Sequence, residues 1–278
     1  MQIIEKLCRG KSTQDACEDA LFYSEDFIAV IDGVSSKTSL RINGQTTGKI
    51  ASTLIKSTLS HLDPKSHVTD FIGACNSAFE TYYQNNHLDI NLQEVGLQAV
   101  AAVYSKSLRQ IWLIGDAQAR ISDTIYQNNK VSDEILANFR SLISHIEMEI
   151  NEETPAEYFK IDDGARLQII PWILKSTIFA NNENSSFGYA VINGKDIPLS
   201  LINIIEVPEN YEGDIILASD GYPHLKNTLG ESESYLSKVL EQDPYLIESY
   251  HSTKGVVPGN ESYDDRTFIR FKDIRRDQ

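Results

Sequence analysis

The stretch from Cys17 to Ser36 reads C-E-D-A-L-F-Y-S-E-D-F-I-A-V-I-D-G-V-S-S. A Glu18-Asp19 pair opens it, and an apolar run from Phe27 to Ile31 ends abruptly in Asp32-Gly33. An apolar run this short, bounded by polar turns, predicts a strand buried on both faces, with the carboxylate of Asp32 at the rim of a sheet. Two later stretches repeat the construction: I-W-L-I-G-D, ending at Asp116, and I-I-L-A-S-D-G, ending at Asp220-Gly221. A further pair, Asp264-Asp265, stands just before the strand-like T-F-I-R-F. One such acid is an ordinary turn residue. Three of them at strand ends point to carboxylates gathered along one edge. Close carboxylates repel unless they share protons or hold cations. An all-oxygen donor set favours hard divalent ions such as Mg²⁺ or Mn²⁺.

Outward from that stretch, the chain alternates strands with pairs of helices. Gln2 onward reads as a first strand, and Leu21–Tyr23 with Phe27–Ile31 as two strands joined by an S-E-D turn. From Thr46 the apolar period lengthens through Ile50, Leu54, Leu59 and Leu62, predicting a helix that stops before Pro64. A second helix carries Phe71, Ile72, Cys75 and Phe79. L-Q-A-V-A-A-V-Y-S and R-Q-I-W-L-I-G-D-A-Q-A-R-I read as one hairpin of two strands. Residues 132–150 are helical, and their stripe of Ile135, Leu136, Phe139, Leu142, Ile143 and Ile146 is expected to pack into the core. Residues 151–165 read as an exposed acidic connection. Residues 166–205 read as irregular strands with a hairpin at Asn193-Gly194. A strand then carries Asp220, a helix covers 231–241, and a strand at 267–272 closes the chain. This order argues against βαβ alternation and for an α+β fold of two antiparallel sheets stacked face to face, with helices outside.

The chain has 278 residues, 41% hydrophobic and 23% charged, within the range of a globular domain with a substantial core. We expect a single domain over 1–278. A net charge of −15 argues against nucleic acid and anionic membranes as partners. No apolar run approaches the roughly 20 residues of a membrane span, and the start lacks a signal-peptide hydrophobic region. Cys8, Cys17 and Cys75 are odd in number and lack zinc-ligand spacing, which points to a reducing cytoplasm.

The Glu18-to-Asp32 spacing, the D-G after a buried strand, and the later G-D, S-D-G and D-D-x-T elements occur in an order that resembles one family. It is the metal-dependent, type 2C serine/threonine protein phosphatases, in particular the bacterial branch. The likeness is collinear from Ser12 to Phe271, weakest over 149–205, where the family places a mobile flap beside the active site. It implies a four-layer α-β-β-α sandwich with Mn²⁺ or Mg²⁺ held at one edge. Asp32 matches the aspartate that bridges two ions, and Gly33 supplies a backbone carbonyl. Asp220 and Asp264 match further ligands, and Asp264 is preferred to Asp265 because it stands three residues before Thr267. Glu18 and Asp19 match the pair that contacts the second ion or its waters, and Asp116 the aspartate of a third, weaker ion. The reaction implied is in-line attack on a phosphoserine or phosphothreonine by water activated between the metals. Its partners would be a phosphoprotein substrate and an opposing kinase.

Two departures stand out. The family arginine that grips the substrate phosphate falls at Gln14, with Lys11, Lys37 and Arg41 as nearby cations. Val34 follows the D-G, where the family often has His or Met, so it supplies no general acid. A pseudophosphatase working as a binding module, or a phosphatase of a small metabolite, are the alternatives. An aspartyl-nucleophile phosphatase would need a second acid at position 34 and is excluded. His224 reads as an ordinary surface residue, and Cys17 as a packed thiol.

Overall fold

Among the described residues, ten strands pair into two five-stranded antiparallel sheets. In the computed structural model, which describes residues 1–35, 40–87 and 96–274, the first sheet has the order β2 (Ala20–Tyr23), β3 (Phe27–Gly33), β4 (Ala99–Ser105), β5 (Gln110–Ile114) and β8 (Asn203–Glu206). The second runs β1 (Gln2–Arg9), β10 (Arg266–Lys272), β9 (Ile215–Ala218), β6 (Gln118–Ile121) and β7 (Thr124–Gln127). The period of two along β3 divides its side chains between two cores. Ile28 and Val30 meet Ala119, Leu217, Ile269 and Phe271 of the facing sheet. Phe27, Ala29 and Ile31 point the other way, onto helices α1 (Thr47–Leu59) and α2 (Val68–Asn85), with Ile55, Phe71 and Trp112. The outer side of the second sheet packs Ile216, Ala218 and Phe268 against Leu236 and Val239 of α6 (Leu229–Gln242). The four layers expected from the sequence are therefore present. Each fully buried Phe or Ile contributes about 1.5 to 3 kcal/mol, so β3 is anchored on both faces.

Between β7 and β8 lie α3 (Val131–Asn151), the short α4 (Pro155–Tyr158), α5 (Gly164–Lys175) and two 3₁₀ turns, Ser176–Phe179 and Leu199–Leu201. Among the described residues no helix is long and apolar enough to cross a membrane.

Three expectations fail. The segment from Arg109 to Ile121 is not one strand: it breaks at Gly115-Asp116, leaving β5 in the first sheet and β6 in the second. Residues 164–175 are a helix rather than irregular strands. The Asp163 side chain accepts from the Arg166 amide at 2.8 Å, and Ala165, Ile169 and Ile173 form the buried side. Pro171 is tolerated because it and Leu167, whose carbonyl loses its partner, both lie on the exposed side. The third failure concerns α3, whose apolar stripe faces outward. Ile135, Phe139, Leu142 and Ile146 are about half exposed, and of the six predicted core residues only Ile143 is buried, with Leu136 packed partly against it. The inward side is built on Arg140, fully buried, whose guanidinium meets Asp163 at 2.7 Å and donates to the carbonyls of Tyr245, Leu246 and Ser252. A buried charge with four acceptors sets the rotation of this helix, because turning it would strand the guanidinium.

Candidate metal centre

The ends of β3, β5 and β9 and the residues preceding β10 open on one cavity of about 830 Å³. Asp32, Asp116, Asp220 and Asp264 all line it. Each acid sits where a buried strand reaches the rim, so four carboxylates distant in sequence meet through sheet topology.

Glycines permit this crowding. A Cβ on Gly33 would stand 2.2 Å from the Gly48 carbonyl oxygen and 2.7 Å from that of Glu18. A Cβ on Gly221 would stand 2.1 Å from the Asp265 carbonyl oxygen. In both D-G pairs the glycine therefore serves a close backbone approach. Over the bare Cα of Gly48, the Gly33 carbonyl oxygen and Glu18 Oε1 converge, 2.7 and 2.8 Å from the position a side chain would take.

Glu18 and Asp19 are buried beside this rim. Ser35 Oγ donates to Glu18 Oε2, and Thr267 Oγ1 donates to Asp19 Oδ2 at 2.8 Å. Cys17, behind them, is the buried free thiol expected, its Sγ 3.8 Å from the Asp19 carbonyl. The two members of the Asp264-Asp265 pair have different tasks. Asp265 is buried and accepts the backbone amides of Lys11 at 2.8 Å and Glu18 at 2.9 Å, tying the amino-terminal loop to β10. Asp264 faces the cavity and carries two lysines. Lys11 Nζ lies 3.1 Å from its Oδ1, and the Lys254 ammonium contacts its Oδ2.

The electrostatics are those of an anionic cluster short of positive charge. Burial raises Asp32 well above the usual carboxylate range, and repulsion from Asp19 and Asp264 adds to it. Burial likewise raises Asp220, with Asp32, Asp116 and Asp264 adding repulsion. The contact between Asp32 and Asp220 adds to the rise at Asp220 and offsets part of it at Asp32. Asp19 and Asp116 are raised by burial too, Asp116 against the pull of Lys130. Asp264 differs. Burial would raise it, but Lys254 and Lys11 hold it below the usual range.

Glu18 Oε1, Asp19 Oδ1 and Asp220 Oδ1 are buried without a hydrogen-bond partner. Buried carboxylate oxygens left unanswered in this way suit a hard cation in chemistry and charge. As the side chains stand, no group of three or more His, Cys, Asp or Glu among the described residues is disposed to hold a metal ion. The donor set fits an ion, and one arrangement stands in its way: the two lysines on Asp264.

Other predicted residues lie elsewhere. Gln14 and Arg41 are exposed and outside the lining of the cavity. Lys37 falls outside the described residues. His224 is exposed against Tyr235, as expected. Sequence reasoning missed Lys254 and Lys130, both of which line the cavity. Lys130 bonds Asp133 at 2.9 Å and sits 4.5 Å from the centre of the Tyr189 ring. Neither lysine stands in a motif; each arrives by loop closure.

Known proteins of this shape make the class explicit. The crystal structure of the Mycobacterium tuberculosis serine/threonine phosphatase PstP/Ppp aligns with 99% of this chain and 100% of its own, at a TM-score of 0.50 and 14% identity. The Staphylococcus aureus serine/threonine phosphatase Stp1 aligns with 99% of this chain and 96% of its own, at a TM-score of 0.48 and 15% identity. The catalytic domain of PstP in complex with two manganese ions gives 98% and 99%, 0.48 and 14%. The chain thus has the fold of the PPM-type, metal-dependent serine/threonine phosphatases of bacteria. No family model and no curated protein sequence matches it.

Proposed function

We propose that this chain is a divalent-metal-dependent phosphatase of phosphoserine and phosphothreonine in proteins. The observation that carries the reading is the convergence of Asp32, Asp116, Asp220 and Asp264 on one rim cavity of this fold, with buried, unanswered carboxylate oxygens on Asp220 and on the neighbouring Glu18 and Asp19. In this reading Asp32, the Gly33 carbonyl, Asp220 and Asp264 hold Mn²⁺ or Mg²⁺, with Asp116 at a weaker position and Glu18 and Asp19 supporting from beneath. Bound ions would supply an acidified water and charge neutralisation on the phosphoryl oxygens. The chain's own part is to keep the carboxylates in place. Ser35 and Thr267 fix Glu18 and Asp19 by hydrogen bonds, and the buried strand of Asp32 removes its freedom to move away. Lys130 and Lys254 line the cavity wall, where a phosphate would meet them; they stand in for the charge missing at Gln14. The segment 149–205, whose Ile173, Thr177 and Tyr189 line the same cavity, would shape the substrate entrance.

A second reading is favoured by the lysines on Asp264: a pseudophosphatase in which built-in cations replace an ion and the fold serves binding. One experiment separates the two. Wild type and Asp32→Asn are assayed on a phosphothreonine peptide and on p-nitrophenyl phosphate, with Mn²⁺, Mg²⁺ or EDTA. Metal-dependent turnover lost in Asp32→Asn is expected. Equal rates in both proteins, or rates indifferent to chelation, would overturn the enzymatic reading.

A further inference from the structure

The outward face of α3 is apolar along its whole length. Ile135, Phe139, Leu142 and Ile146 are 51, 45, 54 and 48% exposed, and Ile150 at the end of the helix 74%. The first four are spaced four, three and four apart, as in the seam between paired helices. The helix is held the other way round by polar contacts. Besides Arg140, Ser141 Oγ donates to the Ile247 carbonyl at 2.6 Å, and His145 lies 3.1 Å from Glu248. The stripe therefore cannot turn inward without breaking a buried ion pair, so it needs a partner from outside. At 1.5 Å per residue the helix is about 31 Å long, and the stripe offers roughly 500 Å² of apolar surface, near the upper range for a monomer without a binding role.

Charge decides the occupant. Glu134, Glu149, Glu152 and Glu153 are exposed along and beyond the helix, while its only basic residues are His145 and the buried Arg140. The last turn carries no basic residue, so Glu149, Glu152 and Glu153 also oppose the helix dipole, whereas Glu134 in the first turn favours it. Pairing two copies antiparallel would set Glu134 of one beside Glu149 to Glu153 of the other, on chains that each carry −15. Two such stripes would bury only about 1,000 Å² in all, the lower limit for a stable interface, against that repulsion. A helix with a basic rim gains where a second copy loses.

We propose that this face of α3 docks a cationic amphipathic helix of another protein, with apolar residues at alternating spacings of three and four and Lys or Arg on either side. The same helix turns its other side to the carboxylate cavity. Asp133, Glu134 and Ala137 of α3 line that cavity, and Arg140 holds the segment that leads to Lys254. The inference does not depend on the chain being an enzyme.

The test uses the full chain and a fluorescent Leu/Lys helical peptide with this spacing, followed by anisotropy. A peptide of the same composition in scrambled order and one with Glu in place of Lys serve as controls. Wild type should bind the Leu/Lys helix at least about tenfold more tightly than either control, and Phe139→Gln with Leu142→Gln should lose about tenfold. Both side chains are exposed, so the melting curve of the double variant should match wild type. Glu149→Lys with Glu152→Lys should weaken binding and flatten its salt dependence. Equal binding of the scrambled peptide, or no loss in the Gln variant, would overturn the proposal. So would a micromolar self-association that the Gln variant abolishes, or binding to lipid vesicles through the same residues.

Discussion

The ammonium of Lys254 rests on Oδ2 of Asp264, the oxygen opposite the one that Lys11 holds at 3.1 Å. Both oxygens of one cavity carboxylate are thus answered by lysines, while one oxygen each of Glu18, Asp19 and Asp220 has no hydrogen-bond partner. An ion that uses Asp264 must first displace Lys254. This pair is partly exposed, 22 and 15% at the side chains, so its strength is discounted for solvent to about 1 kcal/mol.

Lys254→Met should therefore raise Mn²⁺ affinity by about fivefold, measured by calorimetry on the protein without substrate. If Lys254 also receives the substrate phosphate, the same variant should show a higher KM despite tighter metal binding. An unchanged Mn²⁺ affinity would mean that the ion does not use Asp264.

The raised carboxylates make a second prediction about pH. Asp19, Asp32, Asp116 and Asp220 all titrate above their ordinary values in the folded chain. In that situation the folded state binds more protons than the unfolded one, so stability falls as pH rises from about 4 through the raised pKa values. Asp264, held low, works in the opposite sense, and its contribution is lost only below pH 4. In EDTA the melting temperature should fall between pH 5 and pH 8, and Asp32→Asn should flatten the slope. A wild type whose melting temperature rises over that interval would contradict the crowding.

With one charge fewer in the crowd, Asp32→Asn should melt at or above wild type in EDTA, and metal should reverse that order. A cation that binds only the folded state stabilises it by about 2.7 kcal/mol at 100 times its Kd, or about 5 to 10 °C for a chain of this size. Wild type should gain that much from Mn²⁺ and Asp32→Asn little, so the two melting curves cross as metal is added. Equal gains would make Asp32 an ordinary rim residue.

Asp264 and Asp265 should separate cleanly. Asp265→Ala leaves the amides of Lys11 and Glu18 without their acceptor in a buried place, at a cost of about 2 to 4 kcal/mol. Asp264→Ala removes a charge from the crowd but frees two lysines, and its metal-free melting temperature should move much less. Thermal melts in EDTA compare them directly. A larger loss at Asp264 would show that its lysine pairs, rather than a role as a metal ligand, account for that residue.

What the sequence made legible follows from which signals are local. The buried run before Asp32-Gly33 needs no context: five apolar residues cannot end in water, and the acid after them must sit at the rim. The repeat of that construction at Asp220 was readable for the same reason. Lys254 was not, because nothing in S-T-K-G-V-V shows that the loop closes onto a residue ten positions later. The helix over 164–175 was hidden by Pro171, whose cost is small only because it faces solvent, a fact of tertiary position. The stripe of α3 exposes a sharper limit. Period shows that a helix has an apolar side, and says nothing of which side faces in. Among Ser132, Ser141 and Ser144, Arg140 was the one residue that could have warned of this, since a charge at the centre of a helix's small-residue face needs partners.

The inverted helix makes the last prediction. Arg140 binds Asp163 and three carbonyls from the segment Tyr245 to Ser252, and its guanidinium also lies 5.5 Å from the Phe159 ring. Arg140→Ala would leave Asp163 Oδ2 and the carbonyls of Tyr245 and Ser252 without a partner in a largely enclosed place. Breaking a buried pair on one side costs about 3 to 5 kcal/mol, which for this length corresponds to a melting temperature lower by roughly 10 °C. Arg140→Lys keeps the charge but loses the planar fork, and one ammonium cannot reach acceptors on opposite sides, so it should recover only part of the loss. Hydrogen exchange should rise first at Ile247, Glu248 and Ser249, whose amides bond the Asp243 carboxylate at the base of the same segment. Phe139→Gln, one residue away on the same helix, should leave the melt unchanged. Were Phe139→Gln the more damaging of the two, the apolar stripe would be the buried side of α3, and its availability for docking would be lost with it.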